Sequence, residues 1–175
     1  QPTKSMKIVV ISHKECWATG TEHKYCTVGG FPMQIQSLAQ LFDRTQVAIL
    51  QQKSEVPAGA VAIAGENLEV TPFMKPYGRG SLRKLGFVLW AVRHLPKLWG
   101  IVDSSDAVHA LVPGDVGILG ILIALVQHKP LLVRHCGTWG EPVTLADRFL
   151  HRLLDRIAGG RNVVLATGGA EEPPS

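Results

Sequence analysis

Charge is scarce in this chain of 175 residues: 18% are charged, against about 25% in an ordinary globular domain. With 46% hydrophobic residues, that scarcity excludes a disordered chain and points to a large buried sheet or an exposed apolar face. Long hydrophobic runs are also missing. Phe87–Val92 and Ile118–Val126 are the longest, well short of the roughly 18–20 residues a membrane-spanning helix needs. Cysteine is sparse and odd in number, three in all, which argues against a disulfide framework. Gln1–Lys7 is polar and the apolar run behind it is only Ile8–Ile11, so no signal peptide is recognised. A reducing, cytoplasmic setting is therefore expected. Internal repeats and low-complexity stretches are absent as well.

What is present is a rhythm. Lys7–Ser12 (KIVVIS) reads as a strand buried on both faces, followed by a long loop, Ser12–Gly30. Gly29–Asp43 reads as a helix with Ile35, Leu38, Leu41 and Phe42 on one face and Pro32 in its first turn. Gln46–Leu50 is the next strand, and Ala60–Ala64 and Leu68–Thr71 are two shorter ones. Gly80–Gly100 is a long helix that Pro96 should bend or end. Ala107–Val112 is a strand, Pro113–Gln127 a helix and Pro130–His135 a strand. Thr144–Ala158 is an amphipathic helix with Leu145, Phe149, Leu153 and Ile157 on its apolar face, and Asn162–Thr167 a last strand. Alternating strands and helices predict an α/β fold: one Rossmann-like, doubly wound, mostly parallel sheet with helices on both faces. Ligands of such sheets bind beyond the carboxyl ends of the strands, where the strand order switches. Ser12–Gly30, Leu111–Gly117 and Arg134–Gly140 should converge there. Residues 1–5 read as a tag remnant or frayed start, 6–167 as the domain and 168–175 as a tail.

Three motifs carry chemistry. His13-x-x-Cys16 and His23-x-x-Cys26 have zinc-ligand types, but the bridge Trp17–Glu22 is shorter than in most structural zinc sites, and no metal is expected. Gly29-Gly30 lacks the third glycine of a dinucleotide fingerprint. It can open a helix whose free N–H groups face a ligand, or serve as a simple turn. Arg134-His135-Cys136-Gly137-Thr138-Trp139-Gly140 follows a buried strand, which puts His135 at the strand tip as the natural proton handler. Trp139 should pack on a sugar ring or a neighbouring helix. Cys136 has no partner in sequence that would make it a nucleophile.

The net charge is +4 and the isoelectric point about 9.1, compatible with a nucleotide, nucleic acid or lipid headgroup without choosing among them. Arg79, Arg83, Lys84, Arg93, His94 and Lys97 crowd the long helix. Arg83, Arg93, His94 and Lys97 share one sector with Trp90 in its middle, while Leu85, Leu89, Val92 and Leu98 lie in the other. A basic stripe bearing Trp90 suits an anionic membrane surface; a solvated face of a core-packing helix is the alternative.

KIVVISHKECW, VGGFPMQIQSLAQLFD, AVHALVPGDVGILGILIAL and KPLLVRHCGTWG together resemble the N-terminal domain of GT-B-fold glycosyltransferases, in particular the retaining family four. The resemblance runs from about Met6 to Thr167. It implies an acceptor-side domain that faces a C-terminal donor-binding domain across a cleft. It also implies transfer from a nucleotide-sugar to a sugar or lipid-linked acceptor with retention of configuration and with no cofactor or metal. Carried over, Gly29, Gly30 and Phe31 match the loop near the donor phosphates or the acceptor. His135 matches a catalytic residue near the transferred sugar, and His13, Lys14, Arg134, Gly137, Thr138 and Trp139 fall on the acceptor cleft. The donor-gripping glutamates of the second domain have no counterpart here, so the chain is expected to be inactive alone and to self-associate weakly. No nucleic acid partner is expected, and any membrane contact would be peripheral, at the inner face. A stand-alone Rossmann-like binding module, or one subunit of a split two-chain enzyme, is the alternative.

Overall fold

The computed structural model describes residues 5–20, 24–76, 82–137, 139 and 144–167, with residues 82 and 83 as backbone only. The expectations for His23, Arg79, Thr138 and the Arg83 side chain lie outside the described residues.

The fold is α/β and Rossmann-like. The strands are β1 (Lys7–Ala18), β2 (Tyr25–Thr27), β3 (Arg44–Gln52), β4 (Val61–Ala62), β5 (Leu68–Met74), β6 (Ala107–Val112), β7 (Leu131–His135) and β8 (Val163–Ala166). The helices are α1 (Phe31–Ala39), α2 (Leu82–Asp103), α3 (Asp115–Val126) and α4 (Leu145–Ile157). Among the described residues, six strands run parallel in the order β5-β3-β1-β6-β7-β8, and β2 and β4 add an antiparallel extension at the end of β1. Successive strands step outward from β1 through β3 to β5, then restart at β6 on its other side. The order therefore switches between β1 and β6.

Ile8–Ile11 is fully buried because both sheet faces are covered there. One face carries the larger core, where Val9, Ile11, Val108, Ala110, Leu131 and Val133 meet α2, α3 and α4. The other carries a smaller cluster of Val10, Val47 and Ile49 against Phe31 and Ile35 of α1. Helix α3 is apolar on nearly every side, and Gly117 lets it close on the sheet. A Cβ there would overlap the Leu111 carbonyl oxygen. Helix α4 starts at a reciprocal cap: Thr144 Oγ1 accepts from Asp147 N at 3.1 Å, and Asp147 Oδ2 accepts from Thr144 N at 2.9 Å.

Several expectations are corrected. The segment read as a long loop after Ser12 is mostly sheet. Strand β1 passes a register shift between Ile11 and Glu15, continues along β3, and turns back through β2, with Trp17 opposite Cys26. Burial of Cys16, Trp17 and Cys26 draws this extension onto the domain. Pro96 neither ends α2 nor stops its last turns. It sits on the exposed side, where the carbonyl it leaves unbonded can turn to water. Leu41, Leu145 and Phe149, assigned to inward faces, are exposed. Helix α1 ends before Leu41, and α4 is rotated so that Leu150 and Leu154 enter the core, with Leu153 and Ile157 of the expected face packed against it.

Candidate functional site

The β1/β6 switch point holds a cavity of about 470 Å³. Ser12, His13 and Lys14 line it from β1, Leu111–Pro113 from the end of β6, and Arg134 and Cys136 from β7 and the residue beyond it. Gly30, Phe31 and Gln34 close it from the start of α1. The three segments expected to converge here do so. Parallel strands end together at this edge, and Cys136 N donates to Val112 O at 2.6 Å, fixing the β7 tip beside the β6 tip.

The site is electropositive by construction. Gly29 takes φ +80°, which glycine adopts without strain, and delivers the chain into α1. Gly30 caps the helix without a side-chain hydrogen bond, no acid stands in the first turn, and Pro32 follows, so the dipole's positive end is open. A Cβ on Gly29 would lie 3.9 Å from Lys14 Nζ, so the ammonium stands beside this turn. Arg134 Nη1 donates to Gln34 Oε1 at 2.6 Å, while its Nε is buried with no hydrogen-bond partner among the described residues. Two cations and an uncapped helix start thus face one hollow, an arrangement suited to a phosphate or carboxylate. Arg134 also borders a second, mainly apolar hollow of about 320 Å³ between α1 and the sheet, where Leu38, Leu132 and Leu165 lie beside His109.

His135 occupies the tip of β7, as expected, but its side chain does not line this cavity. Side chains alternate along a strand, and with Arg134 turned to the α1 face, His135 turns to the helix face. There it is buried beneath Trp139 and His151, edge-on to both at centroid distances of 5.2 and 5.5 Å. Trp139 stacks on His151 of α4 at 4.3 Å, so the neighbouring helix is its packing partner. Gly137 lies against the His135 ring, where a Cβ would come 3.4 Å from Cε1. Burial, then the neighbouring His151, hold the His135 imidazole below its ordinary value, opposed by the Gly137 backbone and Asp147. In this cluster the His135 ring is a packing group, held between aromatic neighbours.

The His/Cys segment divides. His13 lines the cavity, whereas Cys16 and Cys26 are buried in the sheet extension. Burial, then the neighbouring Cys26, push the Cys16 thiol up to about 12, and Cys26 Sγ donates to Trp17 O. Among the described residues no group of three or more His, Cys, Asp or Glu side chains is placed to hold a metal ion.

Helix α2 divides differently from the two sectors read in the sequence. Trp90 is buried, donates its indole N–H to Met74 O, and packs with Phe73, Phe87 and His94. Lys97 lies over the Phe73 ring at 4.9 Å, and Arg93 is exposed. The sector assigned to a membrane is thus largely the core-facing one, because Trp90 and His94 fill the gap over β5. Of the opposite sector, Leu85, Leu89 and Val92 point outwards and Leu98 is buried.

Gln34, His109 and His151 were not singled out from sequence. Gln34 lies one turn into α1, on the side of the Gly30 start, and that spacing could have found it. His109 reads as one polar residue inside an apolar strand. It is buried with Nδ1 2.8 Å from Leu132 O, and burial is the main cause that lowers its pKa. No helix among the described residues is long and apolar enough to cross a membrane. Compared with known proteins, the chain matches no family model and no curated protein.

Proposed function

We propose that this chain is the acceptor-side domain of a glycosyltransferase of the GT-B type, working with a donor-binding domain that brings the nucleotide-sugar. The observation that carries the reading is the electropositive cavity at the β1/β6 switch point, where Lys14, Arg134 and the open start of α1 face one hollow. In this reading Gly29 and Gly30 let a phosphate approach the backbone. Lys14 and Arg134 neutralise that phosphate or hold the acceptor's acidic group. His13 lines the same hollow and is the imidazole placed nearest the bound groups; His135, packed under Trp139, acts by holding the β7 tip in shape. Transfer to a sugar or lipid-linked acceptor with retention follows from the family resemblance.

The test is transfer of sugar from common nucleotide-sugars by this domain joined to, or mixed with, a donor-binding domain. Activity there, lost in Arg134→Gln and Lys14→Gln but kept in a surface control such as Lys53→Gln, supports the reading. Absence of transfer with every common donor, together with tight binding of a nucleotide or inorganic phosphate by the chain alone, would favour a stand-alone binding module.

A further inference from the structure

Helix α2 is apolar on two opposite sides, and the fold uses only one of them. Phe87, Trp90, Leu98, Ile101 and Val102 pack inwards. Leu85, Val88, Leu89, Val92, Leu95 and Trp99 recur at three- and four-residue spacing on the outside. Val92 is 70% exposed and Leu89 64%, values of a surface lysine and not of a core residue. This is a continuous stripe along one helix, and such stripes mark interaction surfaces.

The charges beside the stripe choose its occupant. Arg93 is exposed along one flank and Lys84 on the other, and the sequence from Leu82 to Val102 contains no acid; Asp103 is the first. A second copy paired through this stripe would bring the cations of both copies together, with Asp103 at the helix end the one acid of α2 to offset them. A surface of phosphate headgroups above an apolar layer complements both features at once. An exposed tryptophan at one end adds a side chain favoured at the membrane boundary.

We propose that the outer face of α2 lies in the plane of an anionic lipid bilayer. The six apolar side chains enter the boundary between headgroups and acyl chains, and Lys84 and Arg93 meet lipid phosphates. This contact is independent of the glycosyl-transfer reading and uses the face opposite to the one suggested by the Trp90-bearing basic stripe.

Co-sedimentation of the full chain with vesicles tests it, comparing phosphatidylcholine alone with phosphatidylcholine containing phosphatidylglycerol. The chain should pellet with the mixed vesicles and much less with the neutral ones, and added salt should weaken the binding. Leu89→Gln/Val92→Gln, with both sites exposed and fold checked by circular dichroism, should lower partitioning about tenfold without changing net charge. Lys84→Gln/Arg93→Gln should remove the preference for anionic lipid. Undiminished pelleting of the Leu89→Gln/Val92→Gln protein would overturn the proposal, as would failure of the parent chain to bind. Concentration-dependent dimerisation abolished by the same double substitution, without lipid binding, would replace the bilayer with a second copy.

Discussion

The two faces of the sheet are built to different ends. The face under α2, α3 and α4 is closely covered, and its strand residues are mostly apolar; the polar ones are satisfied or packed away, Gln46 donating to Thr71 Oγ1 and His135 tucked beneath Trp139 and His151. The α1 face has one covering helix among the described residues, and the polar groups gather there: Arg134, Gln34 and His109 beside two hollows. One strand shows the contrast within two residues, since Arg134 serves the cavity and His135 the core. Helices packed tightly on one side hold the strand ends in place. Thin cover on the other leaves room for a ligand.

The largest effect should come from closing the approach of α3. Gly117→Ala sets a methyl group against the Leu111 backbone oxygen, which a side-chain rotation cannot relieve. The variant should unfold or lose most of its thermal stability, as read by a melting curve. A near-normal melt would mean that α3 and β6 are not locked as described. Next, Leu154→Ala on the covered face should cost about 2–5 kcal/mol in urea unfolding, because the site is fully buried. Half-buried Leu132 on the α1 face should cost roughly half that or less when cut to alanine. Equal costs would erase the difference between the faces.

The smallest effect is a pH dependence. His109 and His135 are both held below the ordinary imidazole value of 6.5, with burial the main cause in each. The groups that face them are Arg134 for His109, and His151 and Asp147 for His135. The unfolded chain takes up protons near 6.5, and the folded chain takes them up only at lower pH. The stability linked to these groups is therefore fully present above that value. It is lost as pH falls from there through the lowered folded values. Melting temperature should stay level at neutral pH and drop as the buffer is taken to about pH 5, and His109→Gln should make the drop shallower. A profile flat across that interval would show that neither imidazole is kept neutral by the fold.

Much of the architecture was legible from local pattern. The β-branched run Ile8–Ile11 stands where its composition puts it, because a strand buried on both faces is apolar throughout, and the strands expected at Ala107–Val112 and Pro130–His135 form within a residue of those bounds. The convergence of Ser12, Leu111 and Arg134 at one edge followed from strand–helix alternation alone. The site's finer content was not legible. Period-two alternation says that Arg134 and His135 point to opposite faces, but not which of them meets the cavity. That is set by where α1 and α4 dock. Helical periodicity likewise found two sectors in α2 but not which residues of each turn inwards: Trp90 from one and Leu98 from the other are both buried. Both contain large apolar groups, and only the gap beside Phe73 decides which is covered. The extension of β1 past Ser12 was hidden because its polar residues mimic a loop.

By itself the sequence determined the α/β class, the order of the elements and the edge at which a ligand could bind. These depend on hydrophobic period, on glycine and proline punctuation, and on the handedness of crossover connections, all of which are local. Only the tertiary structure decided that Arg134 joins the cavity while His135 is packed away, and that α2 leaves its leucine stripe in the open. Those outcomes depend on which face another element covers, a contact between residues far apart in the chain that no local pattern encodes.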